Sequence, residues 1–276
     1  MNSNTSPIGI FDSGFGGLTV FKEIEKLLPQ YDYLYLGDNA RAPYGPRSFE
    51  TVYHYTREAV QWFFDQGCPL VLLACNTASA KALKNIQQLD LPKMADPTRR
   101  VLGVIRPTTE VLGQFTQTGK VGVLGTSGTV RSNSYPIEME KYWPDVEVFQ
   151  QACPLWVPLI ESNEHEGDGA DYFVKKYLDQ LFAQEKGIDT LLLGCTHYPL
   201  LLPKLKQHIP AHVTLVAQGE IVAKSLVDYL DRHPEMEARL SKGGDHRFCT
   251  TDDPLGFRKQ AEVILGREIK AAGVHL

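Results

Sequence analysis

The chain has 276 residues, 43% of them apolar, and a net charge of −5; it is long enough for one large or two medium domains and ordinary in composition for a soluble protein. Its apolar runs are far too short to cross a bilayer, Met1–Pro7 lack the regions of an export signal, and no basic stripe could neutralise phosphates. Membrane, secreted and nucleic-acid-binding classes are therefore disfavoured, and the cytoplasm is the expected location. The five cysteines are odd in number and contain no C-x-x-C pair, which argues against a disulfide framework or an adjacent redox dithiol.

Ile8–Phe11 reads as a buried strand, ending at the glycine-rich turn Asp12-Ser13-Gly14-Phe15-Gly16-Gly17. A helix is expected from Leu18 to Leu28, stopped by Pro29. Tyr33–Leu36 is a second strand, followed by a loop to Gly45, and a helix over 49–65 closes at Gly67. The strand Leu70–Ala74 runs into Cys75, and a helix follows over 78–89. Residues 90–100 read as a linker. Strands are expected at 101–104, 121–124, 146–149, 188–193, 213–216 and 248–250, with helices at 108–115, 135–142, 172–182, 221–230 and 254–265. Gly125–Thr129 reads as a turn and Ser162–Gly169 as a loop. Alternating continuous apolar strands and helices imply parallel sheets covered on both faces. Each half carries a strand, glycine-rich turn and helix, then a strand, cysteine and helix. Two similar α/β units facing each other are therefore expected, with ligands beyond the carboxyl ends of the strands. Asp12, Cys75, Thr126 and Cys195 all stand at such ends.

A cysteine between a strand end and a helix start meets unpaired N–H groups and a positive helix terminus, which favour thiolate. Asn76 or Thr77 could cap the helix after Cys75. Cys195 occupies the same position before Thr196 and His197, whereas Cys68, Cys153 and Cys249 read as structural. Two thiols on opposite walls suit inversion of a stereocentre, in which one group removes a proton from one face and the other delivers a proton to the opposite face. A cysteine hydrolase using His197 as base leaves the second thiol unexplained. A non-catalytic dicarboxylate-binding protein would not need both. The Gly14–Gly17 turn fails the dinucleotide and P-loop patterns, with Thr19 where a glycine is required, and reads instead as a close approach to a small anion. Thr126-Ser127-Gly128-Thr129 would offer hydroxyls and N–H groups to a carboxylate. No metal site is expected: His208 and His212 flank Pro210, and His197 has no further ligand at metal spacing.

Ile10–Val20, Tyr35–Asn39 with Pro43-Tyr44-Gly45, Ala74–Ser79, Gly122–Thr126 with Thr129–Ser132, Cys153–Leu155 with Pro158–Glu161, Leu193–Leu200 and Phe248–Pro254 together resemble the glutamate racemases of the aspartate/glutamate racemase superfamily. The resemblance spans essentially the whole chain. It implies an α/β fold of two pseudo-symmetric, Rossmann-like or flavodoxin-like units with mainly parallel sheets and the site in the cleft between them. The units it implies are residues 1–98 plus 214–276, and 99–213. It further implies cofactor-independent interconversion of L- and D-glutamate, with D-glutamate destined for peptidoglycan. Cys75 would act on D-glutamate and Cys195 on L-glutamate, with Asp12 and His197 as their auxiliary groups and Glu161 in support. Ser13, Tyr44, Gly45, Asn76, Thr77, Thr126, Thr129 and Thr196 are the substrate contacts it implies. Aspartate racemase, with the same chemistry on a substrate one methylene shorter, is the alternative. Relatives of this kind are often homodimers; no nucleic acid, membrane, metal or cofactor is expected. Arg106 departs from the acidic residue that the family commonly carries before Pro107, a hinge or surface difference.

Overall fold

The structure is a computed structural model that describes residues 6–276; Met1–Thr5, and with them most of the segment read as lacking an export signal, lie outside the described residues. In the predicted strands at 8–11, 33–36 and 70–74, consecutive side chains go to opposite faces, and both faces are buried. Ile8, Ile10, Tyr33, Tyr35, Leu70 and Leu72 join one core, while Phe11, Leu34, Leu36, Val71 and Leu73 join another. That is why the strands read as unbroken apolar runs.

Among the described residues ten strands form two sheets in which every pairing is parallel. The first contains β1 (Ile8–Asp12), β2 (Tyr33–Gly37), β3 (Leu70–Leu73), β4 (Arg100–Gly103), β9 (His246–Thr250) and β10 (Ala271–Gly273), in the order β10-β9-β2-β1-β3-β4. The second contains β5 (Lys120–Gly125), β6 (Glu147–Ala152), β7 (Thr190–Gly194) and β8 (Thr214–Val216), in the order β6-β5-β7-β8. The order 2-1-3-4 thus occurs twice, and the expected internal repeat is a repeat of topology. Asp12 and Thr126 stand at the ends of equivalent first strands, and Cys75 and Cys195 follow equivalent third strands.

Sheet membership departs from the expected boundaries at 98/99 and 213/214. Arg100–Gly103 pairs with β3 and completes the first four-strand set; Thr214–Val216 pairs with β7 and completes the second. In each half the fourth strand lies beside the third, where its backbone pairs the N–H and C=O groups of the third strand's open edge. The helix Ile105–Leu112 packs on the second half's Ser134–Tyr142 helix, and the helix Gly219–Arg232 returns to pack on Leu18–Leu27.

Short elements depart most from the sequence reading. The predicted turn around Thr126 continues as a helix over Ser127–Ser132, and Trp156–Glu161 is a helix where none was expected. Six residues hold less than two turns, too few to show a helical period. The helix after Cys75 begins at Asn76 and breaks at Ala82, rather than running over 78–89; a π turn over Ile86–Asp90 follows. β10 was not anticipated; three small residues form it only by pairing with β9. Arg106 sits on the surface, where it bonds Glu110 one turn on at 2.9 Å. Among the described residues no helix is long and apolar enough to cross a membrane.

Asp189 anchors the start of β7. Burial works to raise its carboxyl, but the Thr116 hydroxyl and the N–H groups of Thr118 (2.9 Å) and Gln117 (2.7 Å) bind its charged form and hold it down at about 2. The charged form is thus favoured by folding, so its contribution is complete above the ordinary value of 3.8 and is lost as pH falls toward 2. Urea midpoints measured from pH 5 to pH 2 should fall more steeply for the native chain than for Asp189→Asn, and parallel curves would contradict this role.

Candidate active site

β1, β3, β5 and β7 all end at one cleft of about 700 Å³ between the two sheets. Of the residues singled out in the sequence, Ser13, Tyr44, Gly45, Cys75, Asn76 and Thr77 line it from the first half. Thr126, Glu161, Cys195, Thr196 and His197 line it from the second. Asp12 and Thr129 are fully buried and stand directly behind this lining. The lining contains no lysine or arginine, so an anionic ligand there would meet hydroxyls, amides and the His197 ring.

On the first wall, Cys75 caps the Asn76–Lys81 helix through its backbone, with no side-chain cap. Asn76 and Thr77 are the first helical residues rather than caps, and their side chains are engaged elsewhere. The Cys75 Sγ lies 3.5 Å from the Ser13 hydroxyl. The helix start was expected to favour the thiolate, but burial dominates. Together with the nearby Asp12 charge it pushes the Cys75 thiol up to about 12, against the lowering effect of Ser13 and the Ala78 N–H. These surroundings favour the Cys75 thiol over its thiolate. Asp12 accepts from the Gly14 N–H (3.0 Å) and the Thr196 hydroxyl (3.3 Å). Burial raises its carboxyl above the ordinary value, opposed chiefly by His197.

On the second wall, His197 is buried beside Cys195, with its ring 5.0 Å from that of Phe15. Burial alone would lower its imidazole. The adjacent Cys195 and Glu161 side chains, with the charge of Asp12, raise it to about 10. Nε2 lies 3.2 Å from Glu161 Oε1, near enough for charge pairing but off-line for a good hydrogen bond. The protonated ring is a cation able to pair with a thiolate.

The glycine-rich turn makes room for these groups. A Cβ at Gly16 would stand 2.3 Å from His197 Nδ1, and one at Gly17 2.5 Å from the Asp12 Cβ. The first N–H groups of the following helix are bonded to the carbonyls of Phe15, Gly16 and Gly17. The threonine turn does present hydroxyls. Thr126 meets Thr77 at 2.9 Å and Thr129 at 3.1 Å, joining the two halves across the cleft. Tyr44 is held by its hydroxyl donating to buried Asp38, which Arg41 and Thr251 also bind.

The sequence reading left out an apolar wall formed by Cys153, Pro154, Val157 and Pro158. Its signal was present in the stretch that carries Glu161, because the same short helix presents both. Cys153, read as structural, does reach the cleft, although burial holds its thiol well above the ordinary value. Of the doubtful metal pair, His208 bonds Asp171 at 3.2 Å.

The Asp/Glu/Hydantoin racemase family model matches residues 8–226. The chain is 43% identical over 263 residues to the glutamate racemase of Geobacter metallireducens, covering 95% of this chain and 93% of that protein. Among solved structures, it is similar to glutamate racemase isoform RacE1 from Bacillus anthracis, with a TM-score of 0.88 and 36% identity over 98% of both chains. It is also similar to the Francisella tularensis glutamate racemase in complex with D-glutamate, with a TM-score of 0.85 and 32% identity over 99% of this chain and 98% of that one. An aspartate racemase from Picrophilus torridus shares the fold at a TM-score of 0.51, with 18% identity over 82% of this chain and 94% of that one. By sequence and by fold, the chain belongs to the Asp/Glu/Hydantoin racemase family.

Proposed function

We propose that this protein is a glutamate racemase that interconverts L- and D-glutamate with two thiols and no cofactor. The carrying observation is that Cys75 and Cys195 follow topologically equivalent strands in opposite sheets and line the same cleft. Full-length similarity to glutamate racemases at 43% identity supports glutamate over aspartate. One sulfur, as thiolate, takes the Cα proton; the other, as thiol, delivers its own proton to the opposite face of the carbanion. The thiolate and thiol have then exchanged states, and the enzyme is set for the reverse reaction. Cys75 acts on D-glutamate and Cys195 on L-glutamate. His197, steadied by Glu161, carries positive charge beside Cys195, and Asp12 stands by Cys75 as its proton partner. Ser13, Asn76, Thr77, Thr126 and Thr196, with Tyr44 and Gly45 at the lip and Thr129 bonded to Thr126 behind them, hold the carboxylates by hydrogen bonds in place of cationic side chains. The product D-glutamate serves peptidoglycan synthesis in the cytoplasm. Each sheet with its helices forms one unit, the chain crossing near Val104 and near Ala217, and two copies associate as a homodimer.

In deuterated water, D-glutamate should lose its optical rotation while deuterium enters Cα. No loss of rotation with either acidic amino acid would sink the reading. Faster turnover of aspartate than of glutamate would transfer it to the shorter substrate.

A further inference from the structure

Asn76 lies next to Cys75 and is one of the first helical residues lining the cleft, yet its amide is committed to groups far away in the chain. Its Oδ1 accepts from the Tyr135 hydroxyl at 2.6 Å, and its Nδ2 donates to Gln218 Oε1 at 2.7 Å. The Gln218 Nε2 in turn donates to Tyr135 Oη at 2.8 Å and to Thr108 Oγ1 at 2.9 Å. Thr108 donates to the Val104 carbonyl at 2.7 Å. All four side chains are buried. Gln218 occupies the N-cap position of the Gly219–Arg232 helix but makes no side-chain cap bond. Its amide is used only in this network.

The direction of these bonds follows from their far end. A backbone carbonyl can only accept, so the Thr108 hydroxyl must give its single proton to Val104 and accept from its other neighbour. That neighbour must be the NH₂ of Gln218, which turns the Gln218 carbonyl toward Asn76. Asn76 must therefore offer NH₂ to Gln218 and its carbonyl to Tyr135. The reverse setting would place two carbonyl oxygens against each other in a dry site. The second Nδ2 proton of Asn76 is left uncommitted on a side chain that lines the cleft. Val104 and Gln218 stand where the chain crosses between the sheets, and Tyr135 belongs to the second half.

We infer that Gln218 and Tyr135 are positioning residues that lock the Asn76 amide with an N–H donor toward the ligand, the polarity being set by the Val104 carbonyl through Thr108. Neither residue itself lines the cleft, and both act through Asn76. The consequence for catalysis rests on the racemase reading; the locked amide does not. An amide free to turn presents its carbonyl to a substrate carboxylate part of the time and loses one hydrogen bond, an effect of about tenfold.

The test is a double-mutant cycle on kcat/KM. Gln218→Leu and Tyr135→Phe should each lower kcat/KM about tenfold in the native background and less than about twofold in an Asn76→Ala background. Equal losses in both backgrounds would mean a general structural role, and no loss in the native background would mean no role; either overturns the inference. Gln218→Met, which keeps the side-chain length, guards against a folding defect in the leucine variant. A second readout needs no substrate. The two Nδ2 proton resonances of Asn76, assigned by their disappearance in Asn76→Ala, should be widely separated and slow to exchange in the native protein, and fast to exchange in Gln218→Met. Unchanged exchange in that variant overturns the inference even if the protein proves not to racemise glutamate, whereas absence of glutamate turnover alone overturns only the functional reading.

Discussion

Serine at position 75 or at position 195 lowers steady-state racemisation by on the order of 10³-fold, with the fold unchanged by circular dichroism. Each turnover needs one sulfur to accept a proton and the other to donate one, so neither thiol can substitute for the other. A serine hydroxyl is isosteric enough to leave the cleft intact, but it is far too weak an acid to ionise beside His197 or to return a proton readily. The requirement is symmetric although the surroundings are not: the Cys75 thiol is pushed up by burial and Asp12, whereas Cys195 has the raised imidazole of His197 for a neighbour. Polarimetry of both single variants, starting from each enantiomer, decides the matter. Full activity in either variant would refute the two-thiol mechanism, and Cys153→Ser, which alters the third thiol in the cleft, should retain most of the activity.

Gly16→Ala is expected to be nearly as damaging, although residue 16 makes no contact with substrate in this mechanism. The new methyl carbon would stand 2.3 Å from His197 Nδ1, 2.6 Å from its Cε1 and 2.7 Å from the Thr196 hydroxyl. The ring cannot retreat freely, because it is only 3% exposed and is packed against Phe15. It must swing away from Cys195 and Glu161, or Asp12 and its turn must shift. Overpacking of this kind costs about 1–3 kcal/mol of stability. Displacing the imidazole that serves Cys195 costs on the order of 10² in rate, within the range for a general acid–base partner. Gly169→Ala provides the control. Nothing lies within 4 Å of its added carbon, and it sits in the first turns of the helix Asp168–Gln184, so it should leave the rate unchanged. Wild-type activity in Gly16→Ala would show that His197 tolerates displacement and is not the partner of Cys195.

The strand ends, the two cysteines and the pairing of His197 with the second of them were legible in the sequence because each is a local pattern. A buried parallel strand announces itself as an apolar run, and a residue that follows such a run must stand at the sheet's carboxyl edge. The glycines at 16 and 17 were legible as special, but what requires them was not. A glycine signals that a side chain is forbidden without saying what forbids it, and here the obstacles are His197, from the other half of the molecule, and the Asp12 carbons. Arg100–Gly103 and Thr214–Val216 were recognised as strands, but the sheet that each joins was not legible, because strand pairing is a long-range choice made by sheet edges.

Gln218, Tyr135 and Thr108 carried no signal at all. A lone glutamine before a helix reads as a cap, and a tyrosine or threonine on a helix reads as core, until the chain brings them to one buried point beside Asn76. The sequence by itself determined the fold class and the doubled strand–cysteine unit, since these depend on residue type and spacing along the chain. Only the tertiary structure decided that the two cysteines share one cleft, that burial pushes the Cys75 thiol up despite the helix start behind it, and that Asn76 is bonded to Gln218 and Tyr135. Desolvation and hydrogen-bond direction depend on neighbours in space, and those neighbours are supplied by the packing of one sheet against the other.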